Sequence, residues 1–168
     1  MLTGTPVTSS AILVRNVPPY FINSPTVEPE SIADDASDLK CRALAADDDG
    51  DTITYSYQWS QNSILTTYTG WTLPAAATAL GDIWHCQVTI TDGDEAGSTF
   101  SSTSGVEIAN VASGIYRTDT SWVEGKSPYY VSNRIQVAPG VTLKIEPGVT
   151  VIGNQQMLES WGNISALG

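Results

Sequence analysis

Two acidic clusters are the part of this chain whose residue types and spacing could do chemistry. The first is Asp47-Asp48-Asp49-Gly50-Asp51 and the second is Asp92-Gly93-Asp94-Glu95. Carboxylates at this density repel one another unless something positive neutralises them. Calcium takes about six to eight oxygens in irregular geometry and is the natural candidate. The candidate ligands are Asp47, Asp49, Asp51, Asp92 and Asp94. An EF-hand is excluded, because the position where that loop needs a glutamate falls on Gln58. The competing reading needs no ion: Asp-Gly-Asp sequences form turns, with Asp capping and Gly supplying a positive φ. Other reactive types are scarce. One histidine, His85, and two cysteines, Cys41 and Cys86, leave few options for acid–base or nucleophilic work. No catalytic residue is assigned, and the chain is expected not to be an enzyme.

Charge excludes further classes. Among 168 residues, 18 are acidic and 7 basic, for a net charge of -11. Nucleic-acid binding needs a basic face, and anionic membrane surfaces would repel this chain. No apolar run is long enough to span a bilayer. Hydrophobic residues make up 41%, enough for a core, while only 15% are charged, below the usual quarter or so. The polar remainder of Ser, Thr, Asn and Gln suits β-structure in an extracellular or cell-surface setting. Met1-Leu2-Thr3-Gly4-Thr5-Pro6 has neither the basic nor the apolar region of a targeting peptide. The chain is expected to be a piece of a longer one.

The elements that position the acidic clusters read as short alternating strands. Leu39, Cys41, Ala43 and Ala45 alternate with Lys40 and Arg42; Ile53, Tyr55, Tyr57 and Trp59 alternate with Thr54, Ser56 and Gln58. Trp84, Cys86, Val88 and Ile90 alternate with His85, Gln87 and Thr89. Period-2 patterning means half-buried antiparallel strands and an all-β sandwich. Ala75-Ala76-Ala77, after Pro74, supports one helical turn at most. A repeat at an offset of 94 residues places Thr3 to Pro18 over Gly97 to Ala112, with Val14-Arg15-Asn16-Val17 matching Ile108-Ala109-Asn110-Val111. Residues 1–18 are therefore expected to be the last strand of a preceding repeat.

Cys41, Trp59 and Cys86 follow the order of the immunoglobulin-like sandwich. Asp47-Asp48-Asp49-Gly50-Asp51, followed by Tyr57-Gln58-Trp59, then Thr91-Asp92-Gly93-Asp94 and Val106-Glu107-Ile108-Ala109-Asn110, resembles the signature of PKD-like domains of bacterial surface proteins. That resemblance implies a sandwich over residues 19–112 with Trp59 and Trp84 in its core. Trp84 stands where the family carries the corner tyrosine, and an indole donates with a different reach. The resemblance also places Cys41 and Cys86 on facing strands of opposite sheets. There a disulfide in an oxidising compartment competes with two buried thiols in a reducing one. It brings the two acidic loops to one end of the sandwich, beside Val17-Pro18-Pro19-Tyr20. A cation there would stiffen the junction with the preceding unit, much as in cadherin-like arrays.

The last third changes character. Val137-Ala138-Pro139-Gly140-Val141-Thr142-Leu143 repeats, eight residues on, as Ile145-Glu146-Pro147-Gly148-Val149-Thr150-Val151. Brief β-branched strands turned by Pro-Gly suit a coiled parallel solenoid. With Gly162-Asn163-Ile164-Ser165-Ala166-Leu167-Gly168, the segment resembles the opening turns of right-handed parallel β-helix domains, over residues 113–168. Lys144, Glu146 and Glu159 give no acid/base pair at credible spacing. Tyr68, Trp71 and Tyr129 are expected to face solvent but are assigned no ligand.

Three functions are compatible with this organisation. The first is a non-catalytic structural or adhesive module of a large surface protein, joined to neighbouring domains or other copies of itself and in reach of surface glycans or proteins. The second is a fibre subunit that adds the strand of residues 3–17 to another copy. The third is the front of a carbohydrate-active β-helix enzyme.

Overall fold

The computed structural model describes residues 15–93, 96–153 and 158–167. It is all-β. The first nine strands are β1 (Tyr20–Glu28), β2 (Ile32–Ala33), β3 (Leu39–Ala46), β4 (Thr54–Gln61), β5 (Ile64–Leu65), β6 (Thr72–Leu73), β7 (Ile83–Thr91), β8 (Ala96–Ser101) and β9 (Val106–Ile108). They form two sheets, β1-β3-β6 and β2-β9-β7-β4-β5, with β8 also paired to β7. The single helical turn expected after Pro74 is a 3₁₀ turn at Ala75–Ala77.

Alternation along the strands decides which side chains lie between the sheets. On β7, Trp84, Cys86, Val88 and Ile90 are buried, while Ile83, His85, Gln87 and Thr89 face outward or lie partly exposed. On β3, Leu39 and Cys41 are buried and Lys40 and Arg42 exposed. Trp59 and Trp84 are both fully buried. The Trp59 indole N–H donates to the Gly70 carbonyl at 2.8 Å, but the Trp84 indole N–H is buried without an acceptor. Cys41 and Cys86 form a disulfide with Cα atoms 6.0 Å apart, tying β3 of one sheet to β7 of the other. β1 is an edge strand, broken by register shifts between Phe21 and Asn23 and between Asn23 and Thr26. Pro25 within it has no N–H to offer, so this edge is a poor template for strand addition.

At Asn110 the pairing changes partner. β10 (Asn110–Tyr116), β12 (Tyr129–Val137), β14 (Val151–Gly153) and β15 (Leu158–Ser160) make one sheet; β11 (Thr120–Trp122), β13 (Thr142–Ile145) and β16 (Asn163–Ala166) make another. Every ladder in them is parallel. The strands fall on the short β-branched segments, and the Pro-Gly turns between them put Gly140 and Gly148 at φ 78° and 80°. Their core holds Trp122, Ile135, Val137 and Leu143. Tyr129 departs from the expectation of a solvent-facing aromatic. It is buried and stacked on Trp122 at 4.7 Å between ring centroids. Its hydroxyl accepts the Val123 N–H at 3.1 Å, so the polar end is satisfied inside the fold. Tyr68 and Trp71 are exposed as expected, at 40% and 48%.

Candidate functional site

Antiparallel pairing of β4 with β7 puts Thr54 opposite Thr91. The loop entering β4, which carries Asp47 to Asp51, and the loop leaving β7, which carries Asp92, therefore emerge at one end of the two-sheet unit. Asp94, and Glu95 beside it, lie outside the described residues.

The loop folds around Asp47. Its Oδ1 accepts the backbone N–H groups of Asp49, Gly50 and Asp51 at 3.1, 3.0 and 3.3 Å. Gly50 sits at φ 85°, a left-handed conformation that costs a glycine little. To this extent the turn reading of Asp-Gly-Asp holds. It leaves over the other half of the carboxylate: Asp47 Oδ2 is buried and meets no donor.

The remaining carboxylates reach the segment that enters β1. Asn16 Nδ2 donates to Asp92 Oδ2 at 2.7 Å. The Val17 N–H donates to Asp49 Oδ2 at 2.9 Å, and the Tyr20 hydroxyl donates to Asp48 Oδ1 at 3.1 Å. Three donors from five consecutive residues thus meet three different carboxylates. Pro18 and Pro19 between them offer no N–H, so the segment has no ladder to join and is held by these acceptors.

Electrostatics within the loop set two aspartates apart. Contact with the Asp49 carboxyl, and then the three backbone N–H groups, hold Asp47 below the usual carboxylate range. The same contact pushes Asp49 up, against the lowering effect of the Val17 N–H and with the Asp47 and Asp51 charges adding to the rise. The bond to Asp48, followed by the Asp48 charge, pushes the Tyr20 phenol up. Asp47 and Asp49 therefore hold a proton unequally, Asp49 more readily than Asp47. The orphaned Oδ2 of Asp47 is the feature a cation would satisfy. Of the candidate calcium ligands, the loop brings Asp47 and Asp49 together, Asp51 adds its charge, and Asp92 is engaged by Asn16. Among the described residues no group of three or more His, Cys, Asp or Glu is placed to hold a metal ion.

The sequence singles out the carboxylates but not their partners Asn16, Val17 and Tyr20. One signal existed: Asn16 closes the repeated Asn-Val ending. Elsewhere, His85 lies on the outer side of β7, packed so closely over Gly105 that an added Cβ would stand 2.6 Å from its Cε1. A cleft of about 190 Å3 is lined by Thr26, Glu30, Ser31 and Thr103 among others, and a wider one of about 410 Å3 by Tyr20, Ile22, Ser98 and Phe100 among others.

Compared with known proteins, the chain matches no family model, no curated protein and no solved structure. The class the fold defines is therefore an all-β chain of two sheets stapled by one disulfide, followed by parallel strands. No helix among the described residues is long and apolar enough to cross a membrane.

Proposed function

We propose that this chain is a non-catalytic structural and adhesive module of a large extracellular or cell-surface protein. In this reading an immunoglobulin-like, PKD-like sandwich projects and orients the opening turns of a parallel β-helix. The observation that carries it is the serial arrangement of the chain. Carboxylates at one end of the sandwich hold the incoming segment through Asn16, Val17 and Tyr20. At the other, β9 is followed after one residue by β10, the first strand of the all-parallel sheets. Entry and exit are both bonded, as a spacer needs. The Cys41–Cys86 bridge supports an oxidising compartment. Calcium seated between Asp47 and Asp49, with Asp51 and Asp92 on the same end of the sandwich, would neutralise the loop and stiffen the entry. Neighbouring domains of the same protein, other copies of it, or surface glycans and proteins are the partners this role implies.

The test uses the protein on the cells that make it. Intact cells treated with a membrane-impermeant protease and a thiol-alkylating reagent should lose the chain and yield no alkylated Cys41 or Cys86. A chain protected from the protease, with both thiols alkylated after lysis, overturns the surface assignment.

A further inference from the structure

Asn16 and Asn110 are equivalent in the 94-residue sequence repeat, and each sends its side-chain amide forward into the next unit of the chain. Asn16 Nδ2 donates to Asp92 of the sandwich. Asn110 Nδ2 donates to the Lys126 carbonyl, in a 3₁₀ turn of the parallel-strand region at Glu124–Lys126. The two acceptors differ in charge and the two environments differ in structure, yet the donor and its direction are the same.

The residues after each asparagine differ in one physical respect. Asn16-Val17 runs into Pro18-Pro19, which cannot donate to a sheet. Among the described residues, two side chains and one backbone N–H hold this stretch, and their acceptors are carboxylates. Asn110-Val111 runs into Ala112-Ser113, and the chain continues as β10, with Asn110, Val111 and Ala112 opposite Tyr129, Tyr130 and Val131. The Tyr130 hydroxyl adds bonds to both Glu107 oxygens at 3.4 Å. The first connection is a set of charged hydrogen bonds; the second is a continuous ladder.

We infer that this asparagine is the latch of a repeated joint: the residue at the end of one unit that fixes the unit after it. The pair of residues beyond Asn-Val selects the kind of joint. Pro-Pro makes one that carboxylates close; Ala-Ser makes one that runs on as a strand. The inference rests on reading the chain as serial structural units. A ligand or activity found for the chain would defeat the spacer role and leave the latch test unaffected.

Nuclear magnetic resonance of the full, isotope-labelled chain tests it. In the wild type, the Asn16 and Asn110 side-chain amide protons should exchange more slowly than those of exposed Asn133. Asn16→Ala should speed exchange of the Val17 amide about five- to tenfold, the effect of losing one hydrogen bond of ordinary strength. It should also loosen residues 15–19 while the Cys86 and Ile90 amides keep their protection. Asn16→Asp, which keeps the shape and replaces the donor with a repelling charge, should do the same. Asn110→Ala should speed the Lys126 and Ser127 amides and spare the β10–β12 ladder. Side-chain amides that exchange as fast as that of Asn133, or Asn16 variants that leave Val17 unchanged, overturn the inference.

Discussion

Asn16 and Asp92 stand 76 residues apart in sequence and are joined by a hydrogen bond of 2.7 Å from the Asn16 amide to Asp92 Oδ2. That bond turns an acidic loop, which on charge alone would be a site of repulsion, into an acceptor for the chain entering the sandwich. Charge-assisted bonds of this kind exceed neutral ones in strength, and several acting on one short segment do what a ladder does elsewhere.

The Asp47–Asp49 pair should titrate in a divided way. Asp49 is raised, so its contribution to stability is present below its unfolded value and lost as pH rises through its folded value. Asp47 is lowered, so its contribution is present above its unfolded value and lost as pH falls through its folded value. On acidification Asp49 takes its proton first. Carboxyl resonances followed against pH should give a higher midpoint for Asp49 than for Asp47, and a common midpoint would remove that inequality.

Calcium should compete with that proton. Millimolar calcium should lower the Asp49 midpoint, release heat in calorimetry and raise the melting temperature relative to chelator. Absence of all three leaves the site to the proton alone, and Asp49→Asn would then substitute for it without loss of stability.

The two core tryptophans should respond differently to substitution. Trp59→Ala removes a fully buried side chain and its bond to Gly70, and should cost about 3–5 kcal/mol in denaturant unfolding. Trp84→Phe removes an indole N–H that has no acceptor. It should cost less than Trp59→Phe by about 1 kcal/mol. Equal losses would count against the polar difference between the two sites.

Much of this is legible in the sequence, for a physical reason. Period-2 alternation around Cys41, Trp59 and Cys86 fixes which face of each strand is buried. That Cys41 and Cys86 face each other, and that the acidic loops share one end, comes from the resemblance to immunoglobulin-like sandwiches. The resemblance leaves a disulfide and two buried thiols both open; the structure contains the disulfide. The clamp is not legible, because Asn16 and the Val17 N–H find their acceptors only through long-range placement. Tyr129 reads as exposed because Pro128-Tyr129-Tyr130-Val131 gives no period that says which tyrosine turns inward. The lone N–H of Trp84 depends on ring orientation, which no spacing encodes.

The bridge should hold the two sheets through the unfolded state. It closes a separation of 45 residues, worth about 4 kcal/mol in the chain-entropy model. Cys41→Ala with Cys86→Ala should lower the denaturant midpoint accordingly and steepen the slope, because the unfolded chain is no longer cross-linked. An unchanged midpoint would show that close packing around Trp59 suffices alone.

Gly162 should be intolerant of a side chain. A Cβ there would stand 2.3 Å from both the Ala138 and Val141 carbonyl oxygens, where backbone cannot give way. Gly162→Ala should therefore speed amide exchange in β16 while the sandwich amides keep their rates. Unchanged exchange in β16 would contradict the close approach.

A spacer needs its units to hold one orientation, and residual dipolar couplings from weakly aligned protein measure that. Couplings from β1 to β9 and from β10 to β16 should fit a single alignment tensor with the relative orientation set by the β9–β10 passage. Two tensors of different magnitude would mean that the units move independently, and would contradict it.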